Sequence, residues 1–212
     1  MPLALEPDRF EQPATQEATT ESGSLEILTV GRLGIGERYK GVDDVIEAVR
    51  IVARRDQQVR YTIIGDGNDR GRLEQHARDE GVAEQVDFRG KVSDEALTRA
   101  FQRADAFVMP SAGEGFGLVY LEAMYFGLPI VASPEGGAQY VVDHQKNGLE
   151  VPYGQPGALA EALIRLTDDS LRGELARGAR RDLEERFSFE RFAWDLDAIL
   201  SRHADDKPVG LG

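Results

Sequence analysis

Apolar positions follow two rhythms that alternate along this chain. Short apolar-rich runs at 25–30, 59–64, 86–88, 105–109, 130–132 and 149–151 read as buried strands. Between them the apolar residues recur at helical spacing. Val42, Val45, Ile46, Val49, Ile51 and Val52 give one face of a helix that opens at 42. Further helices are predicted over 69–80, from Ser93, over 118–126, over 156–169 and 171–187, and from Ser188 to about His203. The punctuation agrees with these periods. Ser93 followed by Asp94 and Glu95 is a helix start, while Gly81 and Gly127 are helix stops. Strands alternating with helices predict an α/β fold: a Rossmann-like, doubly wound parallel sheet of about six strands, with helices on both faces.

The most informative stretch is 109–133, MPSAGEGFGLVYLEAMYFGLPIVAS. It reads as strand end, glycine loop, helix and strand, one βαβ unit. Its loop places Gly113, Gly115 and Gly117 in five positions and opens into a helix N-terminus. Free N–H groups and a partial positive charge there suit a phosphate or a sugar oxygen. Glu114 lies in the loop and Glu122 just inside the helix, so both can face the crevice above the strand ends. Taken singly, each acid is as well explained as a solvated surface group. Upstream, the first strand ends in Gly31 and Arg32, with Arg38 and Lys40 close behind. Two cations in such a loop make a diphosphate clamp, an arginine in bidentate fashion and a lysine as a point charge. Spacing does not choose among the three, and Arg38 reads equally well as an ordinary surface cation. Gly65-Asp66-Gly67 after the second strand hints at a dinucleotide fingerprint, but Arg70 stands where the third glycine belongs. A tight strand-to-helix turn is the better reading.

Composition narrows the function classes. With 212 residues the chain suits one domain, or one domain and a tail. A net charge of −13 argues against nonspecific nucleic-acid binding. There is no cysteine, hence no thiolate nucleophile and no disulfide framework. No apolar run is long enough to span a bilayer, and a cytoplasmic location is expected. His76, His144 and His203 are scattered, and the Asp43-Asp44, Asp168-Asp169 and Asp205-Asp206 pairs fall at helix starts or in a tail. No metal site is expected from them. Residues 1–24 are polar and rich in Glu, Gln, Thr and Pro, and read as a linker.

The run EGFGLVYLEAMYFGLPIVAS resembles the signature of retaining glycosyltransferases of the GT-B fold, the glycogen-synthase-like group known as family 4. The hallmark is two glutamates eight residues apart, here Glu114 and Glu122. Gly31-Arg32, Lys40-Gly41, Gly136-Gly137 and Asn147-Gly148 follow the same pattern in order, so the resemblance covers roughly 25–190. It implies a Rossmann-like donor-binding domain over 25–187, one half of a GT-B fold, with a C-terminal helix and tail over 188–212. It selects Arg32 and Lys40 as the diphosphate clamp. It gives Glu114 the donor sugar's hydroxyls and Glu122 the ribose hydroxyls. Gly31, Gly115, Phe116, Gly117, Leu118 and Val119 would line the donor site, and Gly65, Lys91 and Val92 the nucleotide base. Arg32, Lys40 and Glu114 would act in catalysis, which needs no metal and no cofactor beyond the nucleotide-sugar donor. Where the group has a glutamate after Gly136-Gly137, this chain has Tyr140. Aromatics after 188, among them Phe189, Phe192 and Trp194, are expected to be packing.

The resemblance also implies an N-terminal domain carrying the acceptor site, in cis or as a separate chain. Any membrane contact would come through that domain. The opening segment, ending in Asp8-Arg9-Phe10, resembles the connection between the two domains, so Met1 is expected to begin a piece of a longer transferase. The alternatives are a small subunit that completes its site with a partner, a noncatalytic nucleotide-binding scaffold, and a glycosidase using Glu114 and Glu122 as its acid pair.

Overall fold

The computed structural model describes Phe10 and residues 24–205. The linker expectation for 1–24 therefore lies largely outside the described residues, as does the tail beyond 205. The strands are β1 (Ser24–Val30), β2 (Gln58–Ile64), β3 (Val86–Gly90), β4 (Ala106–Met109), β5 (Ile130–Ala132) and β6 (Gly148–Glu150). The helices are α1 (Val42–Ala53), α2 (Arg70–Asp79), α3 (Asp94–Arg103), α4 (Leu118–Tyr125), α5 (Pro156–Arg165), α6 (Asp169–Arg186) and α7 (Phe189–Asp205). Short 3-10 turns at Ile35–Lys40 and Gly136–Tyr140 complete the chain. The sheet runs β3-β2-β1-β4-β5-β6 and every strand pair is parallel.

Strand side chains alternate between the two faces, and each face has its own core. Ile27, Tyr61, Ile63, Val108, Val131 and Leu149 meet the apolar stripes of α1, α2 and α5. Leu28, Phe107, Met109, Ile130 and Ala132 meet α3, α4 and α6. Burial on both sides is why β4 and β5 read as unbroken apolar runs. Thr29 is the buried polar exception in β1. Its hydroxyl donates to the Val108 carbonyl and accepts from Tyr61 Oη at 2.8 Å, tying β1 to both neighbours.

The expected caps are present. Ser93 Oγ accepts from the Ala96 amide at 3.3 Å. At the end of α4 the Gly127 amide donates to Met124 O and the Leu128 amide to Ala123 O, a Schellman closure. Phe10 is buried with Phe101, Tyr125 and Phe126, its ring 5.0 Å from that of Phe126. The expectation for α7 needs correction. Phe189 is 49%, Trp194 64% and Leu200 61% exposed, so these side chains do not pack into this domain. Among the described residues no helix is long and apolar enough to cross a membrane.

Candidate functional site

Strand order reverses between β1 and β4, which opens a crevice above their carboxyl ends, where open α/β sheets bind ligands. The loops around it are tightly fitted. A Cβ on Gly65 would come within 1.8 Å of Gly31 O, and Gly65 has φ +135. The Gly-Asp-Gly turn therefore serves close contact between two loops, sealed by Gly31 N–H to Ile64 O (2.9 Å) and Leu33 N–H to Asp66 O (3.0 Å). On the other side, the Ala112 amide donates to Tyr39 O at 2.9 Å, which joins the β1–α1 loop to the β4–α4 loop.

This fit brings three of the expected residues together. Lys40 is only 8% exposed, and its Nζ lies 3.2 Å from Glu114 Oε1. The same ammonium sits over Gly31, 3.2 Å from where a Cβ would be. A lysine with three N–H donors keeps hydrogen-bonding capacity beyond one carboxylate. Arg32 is placed differently: its side chain is 83% exposed and pairs with Glu37 at 2.5 Å.

The β4–α4 loop supplies the opposite wall. Gly117, in left-handed conformation, starts α4, and no side chain caps that helix. Leu118, at its first position, is 47% exposed. Glu122 is 9% exposed, which rules out the solvated-acid reading. Gly115 is exposed; Phe116 stands edge-on to Phe187 at 6.2 Å, and Val119 packs on the second core. Gly136-Gly137 braces this loop from behind. The Gly137 amide donates to Glu114 O at 2.7 Å, and a Cβ on Gly137 would lie 2.4 Å from Gly115 O. Beneath it, Tyr120 Oη donates to Met109 O at 3.0 Å; burial, then the Glu114 charge, pushes that phenol's pKa up.

The residues expected near a base lie at the carboxyl ends of β2 and β3. The Gly65 amide donates to Gly90 O at 2.9 Å, Lys91 is exposed, and Val92 packs on the second core. Tyr140 is 62% exposed, and its carbonyl accepts from Arg186 Nη2. Among the described residues no three His, Asp or Glu side chains converge as a metal ligand set.

Sequence reasoning misread one residue and missed others. Arg38 is not an ordinary surface cation: it forms a two-point contact with Asp69, whose side chain is 4% exposed. Arg72 holds the same carboxylate and reaches on to Asp43. Hydrogen bonds from Arg72, then from Arg38, hold the Asp69 carboxyl down at about 2. The β6–α5 loop also reaches this edge, with the Gly154 amide donating to Asp44 Oδ2 at 3.0 Å. Burial outweighs that bond and raises the pKa of the Asp44 carboxyl. No spacing rule links Asp69 to Arg38, because their contact is tertiary.

The family model described as glycosyl transferases group 1 matches residues 11–185. The chain is 32% identical over 214 residues to a GDP-mannose-dependent alpha-(1-6)-phosphatidylinositol monomannoside mannosyltransferase of Mycobacterium tuberculosis, covering 97% of this chain and 54% of that one. Among solved structures, sucrose-phosphate synthase from Thermosynechococcus elongatus is similar at a TM-score of 0.82 and 27% identity, over 97% of this chain and 52% of that one. HepE of Anabaena, in complex with UDP and glucose, is similar at a TM-score of 0.74 and 26% identity, over 84% of this chain and 48% of that one. The chain spans about half the length of the curated relatives it matches.

Proposed function

The chain belongs to the glycosyl transferases group 1 family, and from that premise we propose that it is the donor-binding half of a retaining, family 4 transferase. It would take a nucleoside diphosphate sugar and pass the sugar to an acceptor held by an N-terminal domain, in cis or on a separate chain. The observation that carries this reading is the buried Lys40 ammonium between Gly31 and Glu114, the latter in the loop that leads into the start of α4, where no side chain caps the helix.

The chemistry is electrostatic. As the bond from the sugar to the diphosphate breaks, negative charge grows on the phosphate oxygens. Lys40 and the free amides of Leu118 and Val119 would stabilise it. Arg32 would join them after leaving Glu37, a surface pair of little strength. Glu114 would hold the sugar's hydroxyls and offset the positive charge that develops on the ring. Glu122 would accept from the ribose hydroxyls. Retention would follow from acceptor attack on the leaving-group face. This scheme calls for no metal. A cytoplasmic location belongs to the same proposal.

Calorimetric titration with UDP, GDP and ADP tests the reading. One nucleotide should bind in preference, and Lys40→Ala and Glu122→Ala should each weaken it about tenfold or more. Unchanged affinity in both variants would overturn the site assignment. A chelator should leave binding unaltered, and a requirement for Mn²⁺ would contradict the electrostatic scheme.

A further inference from the structure

We propose that Arg38 is a positioning residue: through Asp69 it fixes the turn that presents Lys40 to the crevice. The inference rests on the reading of Lys40 given above. Three consecutive residues of this turn are anchored in three directions. The Arg38 guanidinium reaches the start of α2, with Nε 3.1 Å from Asp69 Oδ2 and Nη2 2.9 Å from Asp69 Oδ1. The Tyr39 carbonyl accepts from the Ala112 amide in the β4–α4 loop. The Lys40 ammonium meets Glu114.

The first anchor is the strongest. Asp69 is buried and receives a second guanidinium, with Arg72 Nη2 2.6 Å from Oδ2. Arg72 extends the network to Asp43 in the first turn of α1, 2.8 Å from Nη2. Two arginines and two aspartates thus balance in charge while joining the 3-10 turn, α1 and α2. The Arg38 side chain is itself half exposed, and an exposed ion pair contributes little. Its partner is not exposed, and a buried carboxylate with paired arginine forks is held in one geometry. Within the turn itself the other tie on that side is a single surface bond from the Ile35 amide to Asn68 Oδ1 at 2.9 Å; upstream of the turn, Leu33 pairs through its backbone with Asp66 O and the Asp69 amide. The Arg38 carbonyl also accepts from the Gly41 amide at 3.0 Å and from Tyr153 Oη at 3.4 Å, so this residue is where three loops meet.

Two measurements test the proposal. In Arg38→Ala, the Ala112 and Gly41 amides should exchange hydrogen about tenfold faster, while amides of α6 keep their protection. Wild-type exchange at Ala112 and Gly41 would overturn the proposal whether or not any nucleotide binds. In titrations, Arg38→Ala should weaken nucleoside diphosphate binding about fivefold alone and add nothing in a Lys40→Ala background. Additive losses would mean that Arg38 acts independently of Lys40. Arg38→Lys should behave like Arg38→Ala, since a point charge cannot reproduce the fork. Rescue by lysine would assign Arg38 a direct charge role and defeat positioning. A wild-type chain that binds none of the nucleotides counts against the functional reading alone, and the exchange comparison still decides this one.

Discussion

Gly137 has no room for even one added carbon: the nearest atoms to its missing Cβ are the backbone of Gly115 and Phe116, at 2.4 and 2.5 Å. Gly137→Ala should therefore cost about 2 kcal/mol, because backbone cannot rotate away as a side chain can. A lower urea midpoint at unchanged m checks it, and a wild-type midpoint would mean that the loop yields. Asp69 gives a prediction in pH. Its folded carboxyl titrates at about 2 against an ordinary 3.8. A depressed folded value stabilises fully above pH 3.8 and is lost as the pH falls towards 2. Between those values the urea midpoint of Asp69→Asn should fall less than that of the wild type. At this scale the sequence placed Lys40 and Glu114 in the segments that flank the crevice and Glu122 inside the helix that follows, where the structure has them. It did not reveal that Arg32 pairs with Glu37 or that Arg38 pairs with Asp69, since both depend on how the loop after β1 folds back.

Element by element, helix ends were the most legible feature, because caps are local chemistry: Ser93, Gly81 and Gly127 all close as their residue types demand. Asn147 was legible only as a turn residue. Its side chain is fully buried, accepts from the Asp143 amide at 2.8 Å, and donates to Val141 O at 2.9 Å and Asp182 Oδ2 at 2.6 Å. It thereby fastens the start of β6 to α6, which passes so close that a Cβ on Gly178 would lie 1.7 Å from Lys146 O. Asn147→Ala leaves buried partners unpaired and should cost about 2–3 kcal/mol. Chemical denaturation measures it, and a loss well below that would mean that water replaces the side chain. The helix from Ser188 was legible from sequence, but its aromatics, expected to be packing, do not all face this domain, because a run of apolar residues does not say what covers it.

For the molecule as a whole, Trp194 is a built-in reporter, being the only tryptophan and 64% exposed. Its emission should be solvent-like and readily quenched by acrylamide. Blue-shifted, protected emission would mean that a second chain covers α7. Alternating apolar runs and amphipathic stretches, set by side-chain period alone, were enough to fix six strands, their helices, the doubly wound class and the glycine loop opening α4. That information is local, since each period and each cap spans fewer than about 20 residues. The strand order, the crevice between β1 and β4, the burial of Lys40 against Glu114 and the Asp69 network belong to the tertiary structure. Each depends on residues tens of positions apart being packed into contact, such as Arg38 with Asp69 and Lys40 with Glu114, and no local period encodes which partner a loop cation will meet.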